Sequence, residues 1–279
     1  MPTIAEKRRA FRDLHASGCF VIPNPYDIGS ARFLQHLGFK ALATTSAGAA
    51  WGLGLPDGAA PLAAMLDHIA ALVAASDLPI NADFGNGFAD DPEDVAETVR
   101  RCIATGVAGL SIEDLSDART LYEPDHAVER IRAARAAIDA AGGDVLLVAR
   151  TEAYLIEHPD AHRESLRRLE RFAEAGADCL YAPRVGKREE IAAIVKAVAP
   201  KPVNVLIGGP IGLDVADLAN LGVRRISVGG AFARAAFGAL MRAAREIAET
   251  GRFEELGAAA SFAEVNGFFI DDRRKRGLS

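Results

Sequence analysis

Eight short apolar runs rich in β-formers recur along the chain, and most of the gaps between them carry helical periodicity. The runs are CFVIPN from Cys19, ALATTS from Ala41, LPINAD from Leu78 and AGLSIED from Ala108. They continue with DVLLVART from Asp144, DCLYAP from Asp178, PVNVLI from Pro202 and RISVGG from Arg225. Parallel neighbours in a sheet need crossover connections, and alternating strands and helices supply them. Eight such units in 279 residues predict a (β/α)8 TIM-type barrel. The alternative is an open doubly wound sheet, which is disfavoured because no GxGxxG follows the first run.

The segment from Asp91 to Gly106 illustrates the helical gaps. Asp91 can cap a helix, Pro92 suits its first position, and acids fill its first turn. Val95, Val99, Cys102 and Ile103 then repeat on one face. Gly106 can end the helix in the left-handed conformation, and Gly38, Gly176 and Gly222 repeat that signal just before other runs. No linker or low-complexity segment interrupts the pattern. One domain is expected over residues 1–279, with 253–279 as a C-terminal extension or oligomerisation segment.

Composition narrows the function classes. With 50% hydrophobic and 25% charged residues, the chain can bury a sizeable single core. A net charge of −6 argues against a nucleic-acid surface, which needs a basic stripe. The N-terminus carries early charges and no long apolar run, and no stretch approaches the ~20 apolar residues of a membrane span. Cys19, Cys102 and Cys179 are far apart and lack CxxC spacing. They read as inert thiols in a reducing cytoplasm.

In a barrel, chemistry gathers at the C-terminal ends of the strands. The first run ends near Asn24, Tyr26 and Asp27, the second at Ser46, Ala47 and Gly48, and Asp57 follows on the next loop. The third ends at Asp83, the fourth at Glu113 and Asp114, the fifth at Arg150, Thr151 and Glu152, and the seventh carries Asn204. Converging carboxylates repel one another unless a cation or protons intervene. Hard divalent ions take oxygen ligands, so Asp57, Asp83 and Glu113 read as a Mg²⁺ shell, partly through water. Asp27 stands where a helix starts, and capping suits it at least as well as ligation. Arg150 ends a strongly apolar strand and needs an anion, either a substrate carboxylate or a structural partner in Glu152 or Glu113. Backbone N–H groups of the Ser46–Gly48 turn can meet an anion; a plain tight turn is the alternative.

TTSAGAAWGLGLPDG, NADFGNG, LSIEDLS and VARTEAYL occur in this order. Their combination resembles the isocitrate lyase/phosphoenolpyruvate mutase superfamily from about Asn24 to about Ala236. The resemblance implies a (β/α)8 barrel, Mg²⁺ with Mn²⁺ as an alternative, and a 2-oxo acid or its enolate as ligand. It also implies that Ser46, Ala47 and Gly48 hold the substrate carboxylate and that Asp57, Asp83 and Glu113 belong to the metal shell. Arg150 then contacts substrate, and Tyr26 matches an aromatic position. A C-terminal helix swapped between subunits, here within Phe253 to Phe269, would give a homodimer or homotetramer.

Two departures stand out. The metal motif of that superfamily usually reads Asp-x-Asp, and Asn81 occupies the first position here, where an amide oxygen brings no charge. The Lys-x-Cys-Gly-His motif of isocitrate and methylisocitrate lyases is absent from LSDARTLYEPDHAVER, whose His126 sits late. The expected activity is therefore Mg²⁺-dependent cleavage of a C–C bond in a small 2-oxo or 2-hydroxy dicarboxylate, with decarboxylation needing the fewest extra groups. Tyr26, Tyr122 and Tyr181 are the candidate acids or bases. The alternatives are hydrolysis or rearrangement of a phosphonate or phosphoryl 2-oxo acid, and a weakened barrel that only binds an acid metabolite. His15, His36, His68, His158 and His162 read as structural or exposed.

Overall fold

In a computed structural model describing residues 2–278, the eight runs form one parallel sheet. The strands are β1 Phe20–Ile22, β2 Leu42–Ala43, β3 Ile80–Asp83, β4 Gly109–Glu113, β5 Leu146–Arg150, β6 Cys179–Tyr181, β7 Val203–Leu206 and β8 Arg225–Ser227. The helices are α1 Ile4–Ala16, α2 Ile28–His36, α3 Ser46–Gly52, α4 Leu62–Ala75, α5 Pro92–Ala104 and α6 Pro124–Ala140. They continue with α7 Ala161–Glu174, α8 Arg188–Val198, α9 Val215–Asn220, α10 Ala231–Thr250 and α11 Phe262–Lys275.

Each strand from β2 to β8 pairs with its chain neighbour, and β8 returns to β1. A doubly wound sheet reverses its order at a switch point; this sheet does not, so the barrel expectation holds. Between β1 and β2 a short seam replaces a ladder. Ala43 N–H donates to the Pro23 carbonyl at 3.0 Å, and Asn24 Nδ2 donates to the Thr44 carbonyl at 2.9 Å. Asn24 Oδ1 also accepts from the N–H groups of Val228 and Gly229, which ties the ends of β1, β2 and β8 together.

The helical gaps form as their signals imply. Asp91 accepts from Glu93 N–H at 2.8 Å, Pro92 opens α5, and Val95, Val99 and Cys102 are fully buried. Gly38, Gly106, Gly176 and Gly222 all have positive φ. The main core lies between strands and surrounding helices, where Leu72, Val99, Leu110, Leu147 and Ile194 pack together.

Helix α1 went unassigned from sequence, although a Thr3/Glu6 capping box marks its start. It lies across the N-terminal end of the barrel. Lys7 Nζ donates to the Val73 and Ser76 carbonyls, Arg8 Nε to that of Val107, and Arg12 Nη2 to that of Gly143. These acceptors lie on the segments that lead into β3, β4 and β5. Phe11 enters the barrel's lower layer with Ile22, Ala41, Ala43, Ala108 and Leu146. Gly109 is required there, because a Cβ would stand 2.7 Å from Phe11 and 2.8 Å from Asn81 Oδ1.

The C-terminal extension packs on α2 of the same chain. Arg32 bonds Asp272 at 2.5 Å, and the Phe33 and Phe268 rings meet edge to face at 5.2 Å. Among the described residues no helix is long and apolar enough to cross a membrane.

Candidate active site

The strand ends converge on a cavity of about 160 Å³ at the C-terminal mouth, lined in part by Ser46, Asp57, Asn81, Asp83, Arg150 and Arg225. It has room for several waters or one small acid. A larger depression of about 520 Å³ beside Trp51, Leu55, Phe237 and Met241 carries no acid and almost no polar surface. Titratable groups at the strand ends line the smaller cavity.

Arg150 is the centre of the acid cluster. Its Nη1 lies 3.3 Å from both Asp83 Oδ1 and Glu113 Oε2, and its Nε donates to Glu152 Oε1. Register explains this convergence, since Glu113 and Arg150 are ladder partners on adjacent strands. Glu152 is held from behind. Its N–H donates to Asp114, which in turn accepts from Arg168 at 3.1 Å. Burial pushes the Glu113 carboxyl up to about 8; Arg150 opposes that shift, while Glu152 and Asp83 add to it. The structural partnership of Arg150 with Glu152 and Glu113 is therefore present, with Asp83 as a third partner.

The Ser46–Gly48 segment is the first turn of α3, not an open tight turn. Ser46 N–H and Oγ both donate to Asp83 Oδ2, at 2.9 and 2.8 Å. Gly48 N–H donates to Thr45 Oγ1 at 3.3 Å. Two of the backbone donors expected to meet a substrate carboxylate are thus already engaged. Gly48 answers a steric need: a Cβ there would stand 2.7 Å from Thr45 Cγ2 and 2.9 Å from Tyr26 Cβ. Ala47 does line the cavity.

Other expected residues separate into those at the cavity and those away from it. Asp27 caps α2 through Ser30 N–H at 2.7 Å. Tyr26 packs against Gly48 and is not part of the cavity wall. Tyr122 is also outside it; its hydroxyl donates to Asp90 and its ring lies under Arg130. Tyr181 is the tyrosine that lines the cavity, 5.3 Å from the Arg150 guanidinium, and burial pushes its phenol up to about 12. His126 lies in the first turn of α6 and bonds the Asp90 carbonyl.

Asn81 and Asn204 sit one layer deeper. Asn81 Oδ1 accepts from Arg225 Nη1 at 3.2 Å, and Asn204 Oδ1 accepts from Arg225 Nε at 2.8 Å. Asn204 is fully buried and does not reach the cavity wall. The amide expected in a metal shell is thus bonded to a cation of the chain itself. Sequence reading missed Arg225, although an arginine inside the apolar run RISVGG is the same signal that singled out Arg150.

The mouth places four carboxyls, Asp57, Asp83, Glu113 and Glu152, near two guanidiniums. Asp57 is exposed and forms no ion pair among the described residues. Desolvation, then the charge of Asp83, raises its carboxyl above the usual range. Among the described residues no three His, Cys, Asp or Glu side chains converge as a ready-made cage. The donor set is nevertheless all oxygen, with excess acid. Such donors suit a hard divalent ion that keeps its waters, and Asp57 and Asp83, with Glu113 behind them, are the residues that could hold one.

Residues 11–248 match the family described as phosphoenolpyruvate phosphomutase. A crystallised Burkholderia cenocepacia J2315 protein, provisionally assigned as a lyase/mutase, is 48% identical, with a TM-score of 0.91 and coverage of 96% of this chain and 97% of its own. Oxaloacetate acetylhydrolase, solved with its product oxalate, is 27% identical with a TM-score of 0.83 and 98% of each chain covered. The oxaloacetate decarboxylase of Paraburkholderia xenovorans (strain LB400) is 29% identical over 231 residues, 79% of this chain and 74% of that one.

Proposed function

The chain belongs to the phosphoenolpyruvate phosphomutase family, within the isocitrate lyase/phosphoenolpyruvate mutase superfamily, and from that premise we propose that it is a divalent-metal-dependent lyase of a small 2-oxo or 2-hydroxy dicarboxylate. Decarboxylation of an oxaloacetate-like acid is the favoured reaction. The observation that carries this reading is the small well at the strand ends in which acids and guanidiniums face one another. The decarboxylase relative and the oxalate-bound hydrolase support the substrate class.

In this reaction the C–C bond to the departing carboxylate breaks, and its electron pair moves onto the 2-oxo group to give an enolate and CO₂. Mg²⁺ or Mn²⁺, when bound, supplies Lewis-acid stabilisation of the developing negative charge. Asp57, Asp83 and Glu113 would hold it. Ser46 orients Asp83 through two hydrogen bonds, and Arg150 keeps Asp83 and Glu113 at fixed separation. Tyr181, protonated at neutral pH, is the group at the wall able to return a proton to carbon.

The test is turnover of a panel of 2-oxo dicarboxylates with Mg²⁺, with and without chelator. We expect activity that chelation abolishes and that Asp83→Ala lowers at least a hundredfold, in line with lost preorganised electrostatics. Full activity in chelator would sink the reading. The family match favours one second reading, cleavage of a phosphonate 2-oxo acid. Phosphate release from phosphonopyruvate would select it.

A further inference from the structure

Arg225 differs from Arg150 in the company it keeps. It is 2% exposed, yet it lines the cavity. Its hydrogen bonds go to two neutral amide oxygens, those of Asn204 and Asn81. Among the described residues no carboxylate lies within salt-bridge distance of it. Arg150, by contrast, is surrounded by Asp83, Glu113 and Glu152. An incoming carboxylate that approaches Arg150 meets three acids; one that approaches Arg225 meets none in contact.

The amides are themselves fixed. Asn204 Nδ2 donates to Ser227 Oγ at 3.0 Å, and Asn81 Nδ2 donates to the Ala82 carbonyl at 3.0 Å. Both amide oxygens are thereby turned towards the guanidinium. Nη2 of Arg225 bonds no protein group, and it is not a sealed orphan either. A guanidinium carries five donors in a fixed fork, so an edge remains for a ligand. Burying a guanidinium without a counter-ion is costly, and a ligand carboxylate offsets that cost. An aspartate at position 81 would put a carboxylate where the amide oxygen stands, 3.2 Å from Nη1, and would neutralise Arg225 within the protein.

We propose that Arg225 is the carboxylate-binding residue of the cavity floor, and that Asn81 and Asn204 hold it while leaving its charge free for the ligand. This rests on the reading of the mouth as a site for a small organic acid. It assigns ligand affinity to a strand β8 residue and explains the amide at position 81 as a device that spares Arg225 an internal partner.

Two measurements on the full chain test it. The first is a crystal soak of the wild-type protein with oxalate. One carboxylate oxygen is expected within hydrogen-bond reach of Arg225 Nη2; oxalate resting on Arg150 alone, or absent from the cavity, overturns the proposal. The second is calorimetric titration with oxalate in chelator, with thermal unfolding as the fold control. Arg225→Gln and Asn81→Asp should each weaken binding about tenfold or more, the scale of one charge-assisted hydrogen bond. Asn81→Asp preserves side-chain size and tests the charge logic if Arg225→Gln does not fold. Wild-type affinity in the folded variants overturns the proposal. An acid that binds through Arg225 and is never cleaved removes the lyase reading alone. Cleavage at undiminished kcat/KM in both variants removes this inference alone.

Discussion

His15 shows how far a single side chain's surroundings reach. It sits between the Phe11 and Phe20 rings, and its Nδ1–H donates to the Phe11 carbonyl at 2.7 Å. Its Nε2 is buried without a partner. Burial first, then the charges of Arg225 and Arg224, pushes its pKa down to about 3. The folded protein therefore binds one proton fewer than the unfolded chain between the ordinary value near 6.5 and about 3. Stability from this group is complete above pH 6.5 and is lost as pH falls through that window. At about 1.36 kcal/mol per unit the upper bound is on the order of 5 kcal/mol. Replacing His15 with Leu should flatten the dependence of Tm on pH between 6.5 and 4. Parallel curves for the two proteins would show that the imidazole is not a source of acid sensitivity. The same surroundings explain what one-dimensional reading could not reach. Asp83 and Arg150 were legible because an acid and an arginine at the ends of apolar strands are unusual, and Asp57 because it stands on a glycine-rich loop beside them. The engagement of Ser46 by Asp83, and of Asn81 by Arg225, links residues 37 and 144 positions apart. No local pattern records such pairs.

At the scale of elements, the strands were legible, α1 was not, and the C-terminal helix was expected within Phe253 to Phe269 but its docking on α2 was not. Each strand is an apolar run bounded by a glycine stop or a polar end, so its position follows from local chemistry. Helix α1 owes its place to contacts with chain segments far ahead of it, and only its capping box was local. The last helix, α11, is similar. Its docking on α2 centres on Asp272, 8% exposed, which accepts from Arg32 and pairs with Arg276 at 3.2 Å. The hydrogen bond from Arg32 holds the Asp272 carboxyl below its usual range. Asp272→Asn should loosen this helix by about 1–3 kcal/mol, the scale of a hydrogen bond to a charged group. Hydrogen exchange over residues 262–275 should accelerate while the strands stay protected. Uniform acceleration across the barrel would mean that α11 does not open as a separate unit.

For the molecule as a whole, the C-terminal quarter carries much of the exposed apolar surface. Phe262 is 84% exposed, Phe253 64% and Leu240 61%, and α10 buries only Ala233 and Ala243. These residues share the chain's end with the open depression beside Trp51 and Phe237. Exposed large apolar side chains concentrated in one part of a chain are the kind of surface that association covers. We expect sedimentation to give a homodimer or homotetramer of the 29.5 kDa chain, and Leu240→Glu with Phe262→Glu to shift it towards monomer. A wild-type monomer at micromolar concentration would remove the oligomer reading. In the single chain α11 lies on its own barrel, so exchange of that helix between subunits is a separate expectation from association itself.

Helix α1 has a consequence for traffic. With Phe11 seated among Ile22, Ala43 and Leu146, and with Lys7, Arg8 and Arg12 bonded to the surrounding turns, α1 covers the N-terminal end of the barrel, opposite the cavity. On the proposed lyase reading, a product formed in the cavity leaves by the route its precursor took. A retained acid would then block the next arrival, and departure would share control of turnover with bond cleavage. Product inhibition that is competitive with substrate is the kinetic mark of such a dead end.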